Sequence, residues 1–482
     1  MTYNIGMIGL AVMGENLVLN MESKGFHVCG YDIDQDRVNA FKNGRAKGKN
    51  IGFADSLKDL INQLETPRKI MMMIRAGSPV DQVIDQLLPL LDQGDIIIDG
   101  GNSNYHDTLR RYELVTSKGF YFIGSGVSGG EEGALNGPSL MPGGSKEAWA
   151  HVAPIFKAIA ARTSDGDICT EWVGPGGAGH YVKMVHNGIE YGDIQLITEV
   201  YHIMRDGLQM SHDDMADVFD RWNQGVLDSY LIDITKDILR KKDEDGSVLV
   251  EKILDTAGQK GTGKWTAISS LEEGIPLSLI GESVYARFLS SQKSERIVAS
   301  KTYNRTIKPF KVNKEEFLQQ LHDALYVAKI ISYAQGFALL KEASKINKWN
   351  LNYGDIALMW RGGCIIRSRF LGKINKAFTN QPSLTNVLLD GYFKDALDKH
   401  INNYRTVVAK GILHGIPMPS LSAGLAYFDG YTTETLPANL LQAMRDYFGA
   451  HTYERIDKPR GEFFHTNWTG TGGTTSSTTY NA

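Results

Sequence analysis

Residues 3–32 read YNIGMIGLAVMGENLVLNMESKGFHVCGYD, and this stretch decides the fold. The apolar run from Tyr3 to Ile8 predicts a short buried strand, which feeds Gly9-Leu10-Ala11-Val12-Met13-Gly14. That is a G-x-A-x-x-G turn, and Glu15 to Lys24 predicts the helix it opens. His27 to Tyr31 predicts a second strand, closed by Asp32. Strand, glycine turn, helix, strand and terminal acid make a mononucleotide-binding unit. Gly9 permits the tight turn, and the small Ala11 lets the backbone approach a pyrophosphate. Gly14 allows close helix–strand packing. The helix N-terminus supplies unpaired N–H groups and positive potential.

Asp32 informs the choice of cofactor. A carboxylate at the end of the second strand accepts hydrogen bonds from ribose hydroxyls and repels a 2′-phosphate. Asp34 adds to the repulsion, and Ile33 carries no charge to offset it. NAD is expected over NADP, with NADP as the alternative. Arg37, one helical turn further on, is expected to face solvent.

The alternation of strands and helices continues. Lys69 to Ile74 predicts a strand, Pro79 to Leu88 a helix, Asp95 to Asp99 a strand and Phe120 to Ile123 another. Such alternation predicts a parallel, doubly wound sheet that binds ligands at the carboxyl ends of its strands. Three glycine-containing loops are expected there: Arg75-Ala76-Gly77 after Ile74, Gly100-Gly101-Asn102-Ser103 after Asp99, and the run from Gly124 to Gly133 after Ile123. Ser139 to Ser145 (SLMPGGS) reads as a further loop.

Composition sets the outer bounds. The chain has 482 residues, 42% of them apolar and 22% charged, which suits a soluble protein of several domains. A net charge of −4 suggests neither nucleic acid nor an anionic membrane as partner. Cys29, Cys169 and Cys364 are isolated and suit a reducing compartment, with cytoplasm the default. No signal peptide and no membrane span are expected. The histidines show no metal-binding spacing and no nucleophile elbow occurs, so no metal site is expected.

The glycine-rich run EWVGPGGAG, residues 171–179, marks a domain boundary, after which helical patterns dominate. The first predicted helix starts at Gly179 and carries Lys183, His186, Asn187, Glu190 and Tyr191 at offsets 0, +3, +4, +7 and +8. All five share one face. The stripe is narrow, and Val182, Met184, Val185, Ile189, Leu196 and Ile197 fill the rest. It reads either as a solvated face with a weak ion pair or as an acid–base pair lining a cleft.

Further on, Trp222-Asn-Gln-Gly225-Val-Leu227 with Ser229 and Tyr230-Leu231 matches Trp360-Arg-Gly-Gly363-Cys-Ile365 with Ser368 and Phe370-Leu371. Each follows a long helix, the second predicted near Leu325 to Glu342, and this self-similarity suggests a duplicated helical unit. Gly258-Gln259-Lys260-Gly261-Thr262-Gly263-Lys264 imitates a phosphate-binding P-loop but is followed by Trp265. The LVEKILDTA before it reads as helix rather than strand, so a P-loop is rejected. Its backbone N–H groups and Lys260 can still bind a phosphate or carboxylate. Arg287 reads as a snorkelling surface arginine. Arg445 and His451 bracket aromatic residues without an evident role. The Gly/Thr/Ser-rich tail from Thr469 reads as disordered. The aromatic run Phe463 to Trp468 before it is expected to dock, with a partner subunit as the candidate.

The motifs GLAVMG, DGGNS, GSGVSGGEEGA, GPSLMPGGS, GAGHYVKMVHNGIEYGD, DTAGQKGTGKWT, WRGGCIIRS and RDYFGAHTYE occur in order along nearly the whole chain. Together they resemble the decarboxylating 6-phosphogluconate dehydrogenases of the β-hydroxyacid dehydrogenase superfamily. The resemblance implies the conversion of 6-phosphogluconate to ribulose 5-phosphate and carbon dioxide, with reduction of a nicotinamide cofactor, in the pentose phosphate pathway. It implies Lys183 as general base and then acid, and Glu190 as the acid that protonates carbon 1 of the enediol. His186 and Asn187 then complete the catalytic face and, with Asn102, Ser128, Gly129 and Gly130, contact the sugar acid. Tyr191, Lys260 and Arg287 contact the phosphate, joined by Arg445 and His451 of the other subunit of a homodimer. Gly9 to Gly14, Asp32 to Asp34, Ile74 to Ala76 and Asn102 are implied to hold the cofactor. NADP-dependent members carry an arginine where this chain has Ile33, and Arg75 stands where many relatives have lysine.

The fold expected is therefore an α/β Rossmann-type doubly wound sheet domain, residues 1–177. It precedes a large all-α substrate and dimerisation domain, 178–434, and a C-terminal tail, 435–482, reaching the partner subunit. Two other readings stay open at this stage. One is a β-hydroxyacid dehydrogenase acting on a smaller acid, against which Lys260, Arg287, Arg445 and His451 argue. The other is a non-catalytic dinucleotide-binding module, against which Lys183 and Glu190 argue.

Overall fold

The opening strand lies inside the sheet, with neighbours on both sides. In the computed structural model, which describes residues 2–472 and 475–477, the sheet has seven strands. They are β1 (Ile5–Ile8), β2 (Val28–Tyr31), β3 (Ile51–Phe53), β4 (Lys69–Met72), β5 (Ile96–Asp99), β6 (Tyr121–Ser128) and β7 (Ser139–Gly144). Their order is β3-β2-β1-β4-β5-β6-β7, so the direction of winding reverses between β1 and β4. Side chains alternate between the faces, as strand geometry requires. Ile5, Met7, Met71, Ile96 and Ile98 join one buried cluster, and Ile8, Ile70, Met72 and Ile97 join the other. Each such buried side chain contributes about 1.5–3 kcal/mol, and apolar cover on both faces is what a parallel sheet demands.

The glycine turn follows β1 and opens the helix Val12–Ser23. Gly9 has φ +95°, and a Cβ there would lie 2.5 Å from the Met73 carbonyl oxygen. A Cβ on Gly14 would lie 1.9 Å from the Gly9 carbonyl oxygen, so helix and turn touch through bare backbone.

Two expectations about the sheet need correction. SLMPGGS is not a loop but β7, and it pairs antiparallel with β6, so the sheet is mixed rather than wholly parallel. The glycines after Ile123 likewise do not begin a loop, because β6 runs on to Ser128. Their smallness serves contact. A Cβ on Gly126 would lie 2.3 Å from Cβ of Lys183, and one on Gly124 would lie 2.5 Å from Thr108 Cγ2. Pro142 is tolerated because β7 is an edge strand.

Beyond the sheet the chain is helical. The Lys183 helix spans Ala178–His202, continues through a π-turn at Ile203–Gly207, and is followed by helices His212–Trp222 and Tyr230–Arg240. The same succession recurs as Lys314–Ile346, longer at both ends than expected, then Tyr353–Met359 and Leu371–Asn380. The two copies meet through matched positions. Ser229 and Ser368 form an antiparallel bridge, with Tyr230 N donating to Arg367 O and Arg369 N to Asp228 O. His186 of the first long helix packs edge-on against Trp360 of the second copy, with ring centroids 5.6 Å apart. His322 of the second long helix packs against Trp222 of the first copy, also at 5.6 Å. In both, the histidine Nδ1 lies 3.0 Å from the side-chain oxygen of the next residue, Asn187 or Asp323. Asp193 lies seven residues after His186 and Lys329 seven after His322, and these two form a fully buried ion pair at 2.5 Å.

The helix expected over LVEKILDTA is confined to one 3-10 turn, Leu249–Lys252. Asp255 is drawn out of it by Lys293 at 2.5 Å and Arg296 at 3.0 Å. Among the described residues no helix is long and apolar enough to cross a membrane.

The chain divides into two compact units, Met1–Gly424 and Leu425–Ala482. The second contains the helix Ala438–Gly449 and a bridge between Tyr453 and Phe464. The tail expected to be disordered from Thr469 includes residues 473, 474 and 478–482, which lie outside the described residues.

Candidate active site

The Lys183 helix is not a surface helix. From Ala178 to Ile189 every residue is buried, so its polar stripe lies inside the first unit. A helix apolar on most of its circumference is stable only in such a setting. The stripe borders a cleft of about 740 Å³. Lys183, Asn187, Glu190 and Tyr191 line it from the helix, and Ser128, Gly129 and Gly130 from the end of β6 and the turn beyond. Gly100, Gly101 and Asn102 enter after β5, and Gly258, Gln259, Lys260 and Thr262 at the start of the helix Thr262–Glu272.

His186 sits behind this wall, fully buried. The Asn187 amide Nδ2 donates to Thr262 Oγ1 at 3.0 Å, which turns Asn187 Oδ1 toward His186 Nδ1 at 3.0 Å. That assignment makes Nδ1 the protonated nitrogen and leaves Nε2 to accept from Ser128 Oγ at 3.4 Å. Burial pushes the His186 pKa well below its ordinary value, and the neighbouring Lys183 charge pushes the same way, so the ring is neutral. The Lys183 amine lies 3.3 Å from the same Nδ1. A neutral amine fits there better than an ammonium, which would set a positive charge against that N–H.

Electrostatics drive Lys183 and Glu190 in opposite directions. Burial lowers the Lys183 pKa, with Glu190 partly opposing. Burial raises the Glu190 pKa, with Lys183, Arg287 and Lys260 opposing and Asp193 adding to the rise. Desolvation disfavours the charged form of each, which favours a neutral amine on one and a carboxylic acid on the other.

Arg287 is not a snorkelling surface residue. Its guanidinium lies 3.5 Å from the centre of the Tyr191 ring, and Nη1 donates to Gly258 O at 3.1 Å. Stacking fixes the plane of the cation and leaves its other N–H groups for an anion.

A second cavity, about 350 Å³, adjoins the cleft and shares Ala11, Met73 and Ile74 with it. Gly9, Asp32, Ile33, Arg37 and Arg75 also line it. The residues suit a dinucleotide: the helix Val12–Ser23 has no side-chain cap, so its first N–H groups are free for a pyrophosphate. Asp32 is turned inward. Oδ2 accepts from Leu10 N at 2.7 Å and Arg37 Nη1 at 3.2 Å, and Oδ1 accepts from Asp34 N at 2.9 Å. Three of its four acceptor positions thus secure the glycine turn and its surroundings. Arg37 faces solvent as expected, with 43% of its side chain exposed, and also pairs with Asp32 and, at 3.5 Å, with Asp34.

Val12 and Met13 line the catalytic cleft, whereas Leu10, Gly14, Asp34 and Ala76 line neither cavity. Arg445 and His451 belong to the second unit. Sequence reading missed Gln259, Thr262, Val127, Met73 and Ile365 as cleft residues. Thr262 had a signal, since it sits in the glycine-rich GQKGTGK run where Lys260 was noticed. Ile365 had one in the repeat.

The N-terminal part, residues 4–174, matches the family model described as the NAD binding domain of 6-phosphogluconate dehydrogenase. Residues 179–468 match that of the 6-phosphogluconate dehydrogenase C-terminal domain. The decarboxylating 6-phosphogluconate dehydrogenase of Cunninghamella elegans is 60% identical over 480 residues, 99% of each chain. The Homo sapiens enzyme of the same name is 57% identical, again over 99% of each. A solved Plasmodium falciparum 6-phosphogluconate dehydrogenase has a TM-score of 0.93 at 44% identity, covering 96% of this chain and 100% of that one. That protein is described in its apo form, with its cofactor NADP+ and with its substrate 6-phosphogluconate. With both family models and full-length relatives in agreement, this chain belongs to the 6-phosphogluconate dehydrogenase family.

Proposed function

We propose that the protein oxidises and decarboxylates 6-phosphogluconate to ribulose 5-phosphate and carbon dioxide. The observation that carries this reading is one buried helix face bearing a lysine with lowered pKa and a glutamate with raised pKa, beside the cations Lys260 and Arg287. A nicotinamide dinucleotide, when bound, accepts the hydride from carbon 3. Neutral Lys183 takes the proton of the 3-hydroxyl as that hydride leaves. The product is a β-keto acid, and Lys183, now an ammonium, donates to the 3-keto oxygen. The electron pair of the carboxyl carbon–carbon bond then moves into an enediol as carbon dioxide departs. Protonated Glu190 delivers a proton to the carbon that lost the carboxylate while Lys183, again a neutral amine, takes back the enediol hydroxyl proton, giving the ketose. His186, neutral and fixed by Asn187 and Ser128, holds the Lys183 amine in place. Asn102, Ser128, Gly129 and Gly130 hold the sugar acid, while Tyr191, Lys260 and Arg287 hold the phosphate. A smaller hydroxy acid would leave Lys260 and Arg287 without a partner.

NAD is the favoured cofactor. Ile33 is uncharged and 88% exposed, and Arg37 is already paired with Asp32 and Asp34, so no free cation at this turn awaits a 2′-phosphate. NADP+ bound to the Plasmodium falciparum relative makes this the point to test. The functional division is residues 1–177, 178–434 and 435–482; the family-model limits 4–174 and 179–468 support its first boundary. The working form is a homodimer in which Arg445 and His451 serve the partner's site. The helix Ala438–Gly449 supports this, since it exposes Leu440, Leu441, Met444, Tyr447 and Phe448 along one face.

Reduced-cofactor absorbance with 6-phosphogluconate, alongside carbon dioxide detection, tests the reaction. No signal with either cofactor sinks the enzyme reading. A tenfold or larger kcat/KM preference for NADP overturns the argument from Ile33 and Asp32.

A further inference from the structure

The second unit is organised around one carboxylate. Asp446 is the only buried residue of the helix Ala438–Gly449, and it is fully buried. Its Oδ1 accepts from Thr452 N at 3.0 Å and His465 Nδ1 at 2.9 Å. Its Oδ2 accepts from Thr466 N at 3.0 Å and Trp468 Nε1 at 2.8 Å. Four donors fill the four acceptor positions of an ionised carboxylate. Bonds to a charged acceptor are about twice as strong as neutral ones, so this hub ties the helix to the segment 452–468.

Arg445 and His451 flank the hub in sequence, and the hub consumes neither. Arg445 precedes Asp446 and donates from Nη1 to Gln442 Oε1 at 3.1 Å. Gln442 in turn donates from Nε2 to Thr452 O, tying the arginine to the same turn. His451 precedes Thr452, whose N–H the hub holds, and its buried Nδ1 has no hydrogen-bond partner. The turn carrying it is strained, with Ala450 at φ +50° and Thr452 at φ +51°. Left-handed backbone at non-glycine residues persists only where surrounding bonds enforce it. Among the described residues no carboxylate pairs with Arg445 or His451. Here the carboxylate is satisfied by other donors and the guanidinium charge stays available.

We propose that Asp446 is a positioning residue that shapes Arg445 and His451 into an anion-binding pair for the substrate phosphate. This rests on the reading that those two residues contact that phosphate. Asp446 touches no reacting atom, so its loss weakens phosphate binding and spares the chemical steps.

The test uses the full-length enzyme. Asp446→Asn keeps the shape but turns one acceptor atom into a donor facing N–H groups. It is expected to raise KM for 6-phosphogluconate about tenfold, with kcat within about twofold. The inhibition constant of inorganic phosphate should rise in parallel. Trp468→Phe removes a single donor and is expected to raise KM by a smaller factor, and it decides the matter if Asp446→Asn does not fold. Arg445→Ala separates the two levels. If it raises KM while Asp446→Asn and Trp468→Phe leave KM unchanged, the positioning role is wrong and the phosphate reading stands. If Arg445→Ala leaves KM unchanged, the phosphate reading falls and takes this inference with it. A fall in kcat at constant KM in Asp446→Asn also overturns it.

Discussion

The Lys183 amine lies 3.3 Å from His186 Nδ1, a nitrogen whose proton is directed to Asn187 Oδ1. Because Asn187 fixes that proton, it also sets which form of Lys183 is comfortable. Asn187→Asp would put a negative charge beside both and favour the ammonium. The expected outcome is a kcat at neutral pH lowered at least tenfold and an acid limb of kcat/KM moved to higher pH. A pH–rate profile checks this, and an unmoved acid limb contradicts the assigned tautomer.

Removing the lysine and the glutamate should have different consequences. Lys183→Met is expected to abolish oxidation, a loss of about 10³-fold or more in hydride transfer. Glu190→Ala is expected to slow appearance of the ketose more than reduction of the cofactor. Following reduced cofactor, carbon dioxide and ketose separately distinguishes the two. Near-normal turnover in Lys183→Met would remove the lysine from the mechanism.

The buried Asp193–Lys329 pair makes a stability prediction. Lys329→Met leaves the Asp193 carboxyl buried without its cation, which costs about 3–5 kcal/mol. Adding Asp193→Asn removes the stranded carboxyl and should recover much of the loss. Denaturant unfolding of the single and double variants measures this, and equal stability of the two would contradict it.

Asp323 makes a pH prediction. Burial pushes its carboxyl up, but hydrogen bonds from His322, Asn403 and His400 outweigh burial and hold the pKa down to about 2. Its unfolded value is about 3.9, so the folded state binds this proton more weakly. The stabilisation is therefore present above about pH 4 and is lost as pH falls through about 2. Asp323→Asn should be less stable near neutrality and should lose less stability between about pH 4 and pH 2 than the parent. Acid titrations of unfolding free energy would show identical slopes if Asp323 has no such role.

Much of this molecule can be read from its residues, because period and punctuation are local. Gly9, Gly14 and Asp32 announce the first β-α-β unit, and the spacing of Lys183 and Glu190 places them together on a helix. What escaped reading depends on partners distant in sequence. The glycines of β6 look like a loop until Lys183 is seen lying on Gly126. SLMPGGS holds a proline and two glycines, and only its place at the sheet edge makes it a strand. Asp32 looks free for a ribose until Leu10 and Arg37 are seen to occupy it. Arg287 looks exposed until Tyr191 is beneath it.

The Asp193–Lys329 pair also records ancestry. If the two helical copies descend from one sequence, position 193 and position 329 once held the same residue. Two aspartates or two lysines facing each other would repel, so this pair cannot have existed in a symmetric forerunner. The pair requires the two copies to differ at this position, which makes the halves complementary instead of interchangeable. The same divergence is written at the positions proposed for catalysis. Counting from the paired histidines, Lys183 answers to Gln319 and Glu190 to Tyr326. One copy holds a lysine and a carboxylate at these positions, and the other holds neither while supplying the tryptophan against which His186 rests.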